Sequence, residues 1–185
     1  MNPVELWGLI RRTGRIAQPA PARTTSPDTA GDSAGDKAGN TTKDPAADSA
    51  GQDLSVLAGS VQVRHVDCGS CNGCEIEIGA AFGPVYDAER YGARLVASPR
   101  HADVLVVTGV VTRNMARPLV RTVEATPRPR VVVAVGDCAA GHSVYAAGYA
   151  VDGSVADHVE VDLVVPGCPP SPDQIIEALR RVTRR

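Results

Sequence analysis

The chain has 185 residues, five of them cysteine, and a formal net charge of -2 at pH 7. A balance so close to neutral gives no electrostatic ground for a nucleic-acid or anionic-membrane partner. An odd cysteine count without a secretory leader argues against a disulfide framework. Aromatic residues make up only 3% of the chain, so the core has to be built from Val, Ala, Leu and Ile, which are concentrated after about residue 54.

Residues 1–16 leave two outcomes open. Asn2 can cap a short amphipathic helix, Pro3 suits its first turn, and Leu6, Leu9 and Ile10 fall on one face. Such a helix would dock on a partner or lie at a membrane interface; a frayed tail is the other outcome. The apolar run from Leu6 to Ile10 is too short to cross a bilayer, and Arg11, Arg12 and Arg15 follow it rather than precede it. Neither a signal peptide nor a transmembrane helix is therefore expected, and a cytoplasmic location is. From Pro19 to Gln52 there is no Val, Ile, Leu, Met, aromatic or Cys residue. Residues 17–55 are accordingly expected to form a disordered Ala/Gly/Asp/Pro linker, and residues 56–185 the folded domain.

In the folded part, strands and helices alternate. Strands are predicted over residues 61–67, 94–97, 104–108, 131–135 and 161–165, several of them continuous β-branched runs such as VLVVT and VVVAV. Helices are predicted over about 73–81, over about 117–124 with Pro118 in the first turn, and from Ser171 onward. The last is the best marked: Ser171 as cap, Pro172 at the first position, Gln174 completing a capping box, and Ile175, Ile176, Leu179 and Val182 as the core-facing stripe. Apolar runs alternating with helices indicate an open parallel sheet with helices on both faces, an α/β fold of the flavodoxin-like kind.

The cysteines fall in a pattern on this frame. Cys68, Cys71 and Cys74 follow the first strand; Cys138 follows the fourth after Gly136-Asp137; Cys168 follows the fifth after Pro166-Gly167. All five lie just past the C-terminal ends of parallel strands, the edge at which such sheets bind ligands. Clustered cysteines in glycine-rich loops point to metal or redox chemistry. A structural zinc site is one option, although the paired knuckles of zinc ribbons are not both present. Cys68-x2-Cys71-x2-Cys74 matches the start of a ferredoxin run, but position 78 is Ile rather than the fourth cysteine. The supply of cysteines limits the chain to one cluster.

Four segments in order, CGSCNGCEIEI (68–78), SPRHADVLVVTGVVTRNM (98–115), GDCAAG (136–141) and VPGCPPSP (165–172), resemble one family. It is that of the small subunit of energy-converting, membrane-bound [NiFe] hydrogenases of the formate hydrogenlyase type, and of the B subunit of NADH-quinone oxidoreductase, respiratory complex I. The resemblance covers roughly residues 61–182. It implies a flavodoxin-like fold with one [4Fe-4S] cluster at the C-terminal strand edge, beside the active site of a large subunit. By motif position its ligands would be Cys71, Cys74, Cys138 and Cys168, with Cys68 an extra thiol or an alternative first ligand. In complex I the first two ligands are adjacent; here Asn72 and Gly73 separate Cys71 from Cys74, which looks like the hydrogenase branch.

The resemblance also implies an electron-transfer subunit at the cytoplasmic face of the membrane, attached peripherally through a complex. Its partners would be a large subunit with a nickel-iron or quinone site, other iron-sulfur subunits and membrane subunits, with no nucleic acid. Whether the complex turns over hydrogen or reduces quinone would be decided in the large subunit. A non-redox assembly scaffold, with zinc or no metal, is the competing class. The chain has no GxGxxG fingerprint and no P-loop, so no catalysis by the chain alone is expected. Among the other residues, Glu77 and then Glu75 are candidates for proton or quinone-site chemistry, the alternative being a solvated helix face with Ile76 and Ile78 buried. Arg100 and Arg113 are candidates for orienting loops or facing the site, with surface ion pairs as the alternative. His65 reads as a satisfied core histidine, and His142 as a loop residue with some chance of reaching the site.

Overall fold

The computed structural model describes residues 53–185. The expectations for residues 1–16 and for most of the linker lie outside the described residues. Leu54–Leu57 form a 3-10 turn whose Asp53 side chain accepts the Ser55 N–H, and Leu54 and Leu57 are buried in the domain core. The folded region thus takes in residues 53–55, the end of the expected 17–55 linker.

Five parallel strands form one sheet: β1 (Val61–Asp67), β2 (Ala93–Leu95), β3 (Val104–Thr108), β4 (Val131–Val135) and β5 (Leu163–Val165). Their order is β2-β1-β3-β4-β5, the doubly wound flavodoxin-like order with its switch point between β1 and β3. Helix α1 is Gly73–Ala81, α2 is Arg113–Ala125 and α3 is Pro172–Thr183.

The central strands β3 and β4 are buried at every position, as continuous Val-rich runs require when helices cover both faces. Their side chains alternate between two cores. Val104, Val106, Val131, Val133 and Val135 pack with Cys74, Ile78 and Ala81 of α1 and with Ile175, Ile176, Leu179 and Val182 of α3. Leu105, Val107, Val132 and Ala134 pack on the other face with Leu119 and Val123 of α2 and with Val155. Helix α3 keeps its expected cap: the Ser171 hydroxyl accepts from Gln174 N–H, and the Gln174 side chain accepts from Ser171 N–H at 2.8 Å.

Three elements differ from the sequence expectation. Helix α2 begins at Arg113 rather than near residue 117, so Pro118 lies in its interior. The Thr112 carbonyl already accepts from Met115 and Ala116 N–H, both at 2.9 Å, and starts the helix there. Pro118 is exposed, so water can satisfy the carbonyl its ring leaves without a partner. Strand β5 is shorter than the expected 161–165. The Asp162 carboxylate, not a strand carbonyl, accepts Val132 N–H at 2.7 Å, and the ladder begins only at Leu163. Strand β2 is Ala93–Leu95 rather than 94–97, set by its short pairing Val61↔Ala93 to Val63↔Leu95 at the sheet edge. Among the described residues no helix is long and apolar enough to cross a membrane.

Leu179 is 2% exposed between α3 and the sheet. Leu179→Ala is expected to cost about 3 kcal/mol, and Ser171→Ala about 1 kcal/mol, in urea unfolding followed by circular dichroism.

Candidate metal centre

Because the strands are parallel, the loops leaving β1, β3, β4 and β5 emerge on one edge. There Cys71, Cys74, Cys138 and Cys168 wall a single cavity of about 90 Å³, together with Ser70, Gly73, Gly109, Asp137, Gly167 and Pro169. Three segments distant in sequence supply the four thiols. Cys74 belongs to the first turn of α1 and is buried; Cys138 is half-buried; Cys71 and Cys168 are exposed at the rim.

The register explains the convergence. Val135 pairs with Val165 at the end of β4 and β5. The pairing runs on past the strands, with Gly136 N–H donating to Val165 O at 2.8 Å and Asp137 N–H to Gly167 O at 2.9 Å. Cys138 and Cys168 are the next residues along the two chains, so they leave the sheet side by side. On the other side, Asp67 pairs with Thr108, and Cys68 N–H donates to Thr108 O at 3.0 Å. The Asp67 carboxylate then accepts Gly69 and Ser70 N–H, each at 2.8 Å, turning the chain toward Cys71.

Glycine is required at the back of the cavity. Gly136 has φ +92°, and a Cβ there would come within 2.6 Å of the Cys74 sulfur. The cavity thus has room for that sulfur only because residue 136 lacks a side chain.

Burial, then Glu75, then Cys138, Cys71 and Cys168 push the Cys74 thiol up to about 12. A bound cationic metal group would remove that penalty, since coordination deprotonates a thiol outright. The donor set therefore suits a thiolate-ligated metal group. Among the described residues, no group of three or more His, Cys, Asp or Glu side chains is placed to hold a metal ion.

Cys68 is not part of the wall. Its thiol is fully buried in the core on the α2 face with Leu105, Val107 and Leu119, and burial followed by Asp67 pushes it up to about 12. The alternative first-ligand role for Cys68 thus finds no support in its position.

The two acids separate. Glu75 is held from three sides: by the Ser70 hydroxyl at 2.5 Å, by the Thr108 hydroxyl, and by His65 Nε2 at 3.5 Å. His65 Nε2 also meets Thr108 Oγ1 at 2.9 Å. Burial lowers the pKa of His65 below its ordinary value, against the opposing pull of Glu75 and Asp67. His65 is thus satisfied by Thr108 with Glu75 beside it, at a half-buried position rather than in the core. Glu77, ranked ahead of Glu75 by the sequence, is half-buried and has no hydrogen-bond or ion-pair partner among the described residues. Of the two flanking isoleucines, Ile78 is buried but Ile76 is 62% exposed. Arg100, Arg113 and His142 are exposed and none lines the cavity.

Ser70 and Asp137 are wall residues that sequence reasoning missed. Asp137 could have been found as an acid between a strand end and a cysteine; Ser70 carried no signal beyond its place in the loop.

Residues 71–182 match the family described as NADH ubiquinone oxidoreductase, 20 Kd subunit. The chain belongs to that family. Formate hydrogenlyase subunit 7 of Escherichia coli (strain K12) is 45% identical over 119 residues, which are 64% of this chain and 47% of that protein. The chain thus spans about half the length of that relative. The probable membrane-bound hydrogenase subunit mbhJ of Pyrococcus furiosus is 48% identical over 117 residues, 63% of this chain and 70% of that one. Among solved structures, a chain of the membrane-bound sulfane sulfur reductase, an archaeal respiratory membrane complex, matches with a TM-score of 0.62 at 26% identity. That match covers 71% of this chain and 72% of the other.

Gly136→Ala is expected to leave the fold intact by circular dichroism while cutting metal retained after anaerobic purification severalfold, because the new methyl occupies the space of the Cys74 sulfur.

Proposed function

We propose that the chain holds one [4Fe-4S] cluster on Cys71, Cys74, Cys138 and Cys168. In this role it is the electron-transfer subunit of a membrane-associated, hydrogenase-like oxidoreductase complex. The observation that carries this reading is the single cavity walled by these four thiols from three separate loops. A lone zinc needs its sulfurs about 2.3 Å from one point; an open volume of about 90 Å³ between them suits a larger inorganic group better. When bound, such a cluster supplies one-electron transfer without making or breaking bonds to substrate.

The chain's own residues do the holding. Cys74 grips from the buried floor through α1, Cys71 from the loop before it, and Cys138 and Cys168 from the ends of β4 and β5. Gly73, Gly109, Gly167 and Pro169 complete a wall with few polar side chains, which limits water at the site. Glu75 braces Ser70, and with it the turn that carries Cys71.

The rim is open, and the loop after Cys138 exposes Val144 at 88%, Tyr145 at 56% and Tyr149 at 69%. An apolar loop beside an open redox site fits a covering partner, for which a large catalytic subunit is the natural occupant. Other iron-sulfur and membrane subunits would complete the complex, with this chain attached peripherally at the cytoplasmic face. The spacing Cys71-Asn72-Gly73-Cys74, and identities of 45% and 48% to subunits named for formate hydrogenlyase and a membrane-bound hydrogenase, favour the hydrogenase-like branch over quinone reduction.

Anaerobically purified protein is expected to contain about four iron and four sulfide per chain; about one zinc and no sulfide would point to the scaffold class instead. Cys74→Ala should abolish the iron-sulfur absorbance and paramagnetic signal, whereas Cys68→Ala should keep both. An intact cluster in the first variant would overturn the ligand set.

A further inference from the structure

We propose that Asp137 is a positioning residue that clasps the Cys138 and Cys168 loops together and, by its charge in the cavity wall, lowers the reduction potential of the group held there. The inference rests on the reading of the cavity as a [4Fe-4S] site and goes beyond it by naming a residue that sets the cluster's electron affinity.

Asp137 directly precedes Cys138, and Gly167 directly precedes Cys168. The Asp137 Oδ1 accepts Gly167 N–H at 2.8 Å, and Asp137 N–H donates to Gly167 O at 2.9 Å. Backbone and side chain of one residue thus grip the same glycine from both directions, one position ahead of each sulfur. Gly167 has φ +136°, so the loop it belongs to is held in a conformation that only glycine adopts freely. The side-chain bond secures that conformation just past the paired ends of β4 and β5.

The same residue lines the cavity. It is half-buried, and among the described residues no Lys, Arg or His forms an ion pair with it. One-electron reduction adds one negative charge to a cluster already surrounded by four thiolates. A carboxylate in the same wall opposes that addition through a medium less screening than water. Net charge and hydrogen bonding around the sulfurs are the levers that set iron-sulfur potentials, and Asp137 acts on the first.

Asp137→Asn separates the two roles. The amide oxygen can still accept Gly167 N–H, while the charge is gone. Asp137→Ala removes both. The experiment is a potentiometric titration of the anaerobically purified full chain, or of its complex, followed by electron paramagnetic resonance, with iron and sulfide counted in each sample. Glu124→Gln, an exposed acid on α2, serves as control.

Asp137→Asn is expected to retain iron and sulfide at the wild-type level and to move the midpoint potential in the positive direction. Asp137→Ala is expected to lose a substantial part of the iron, and Glu124→Gln to change neither quantity. An unchanged potential in a fully loaded Asp137→Asn protein would overturn the electrostatic role, and full iron in Asp137→Ala would overturn the clasp. Wild-type protein without a four-iron signal would overturn the cluster reading itself, a failure distinguishable from both.

Discussion

Parallel pairing is the constraint from which the site follows. In a parallel sheet every strand points the same way, so every loop that leaves a C-terminal end arrives at the same edge. Here the hydrogen bonds do not stop where the strands do: Gly136 and Asp137 carry the β4–β5 ladder two residues further, to Val165 and Gly167. The two single-cysteine loops are therefore in register before any side chain acts. Had the pairing slipped by one residue, every side chain on β5 would have changed face, and Leu163 and Val165 would have left the core. The burial that fixes the core thus also fixes where Cys168 stands relative to Cys138.

The two faces of the sheet divide the work. Helices α1 and α3 cover the face that contains Cys74, so the first and last helices of the domain pack together beneath the cavity. Helix α2 and the return loop around Val155 cover the other face and contain Cys68. Cys68 and Cys74, both on the segment that follows β1, therefore differ in their surroundings. One thiol lies among aliphatic side chains on the α2 side, while Cys74 faces three other thiols across open space.

Much of this was legible in the sequence because it depends on strong local signals. The Val-rich runs of β3 and β4, the Ser171-Pro172-Gln174 cap and the position of each cysteine after a strand needed no tertiary information. Pro118 misled: taken as a first-turn marker, it placed the start of α2 too late, whereas the Thr112 carbonyl starts that helix and an exposed proline is tolerated within it. The shortened β5 was hidden because Asp162 replaces a ladder partner with a side chain, which no alternation pattern reveals. The setting of Glu75 was invisible for another reason. Thr108 and His65 reach it only through the β1–β3 register, so its partners are far away in sequence. Glu77 outranked it on motif position alone.

The uneven exposure of the four thiols gives the cavity an inside and an outside. Cys74 stands against the sheet, while Cys71 and Cys168 face solvent. Behind the inner wall lies a tightly packed aliphatic core, with Phe82, Tyr86 and Tyr91 partly buried against it. Whatever reaches the four thiols from solvent therefore does so past Cys71 and Cys168. One rim thus serves as both doorway and contact face, so what settles over it also governs what enters.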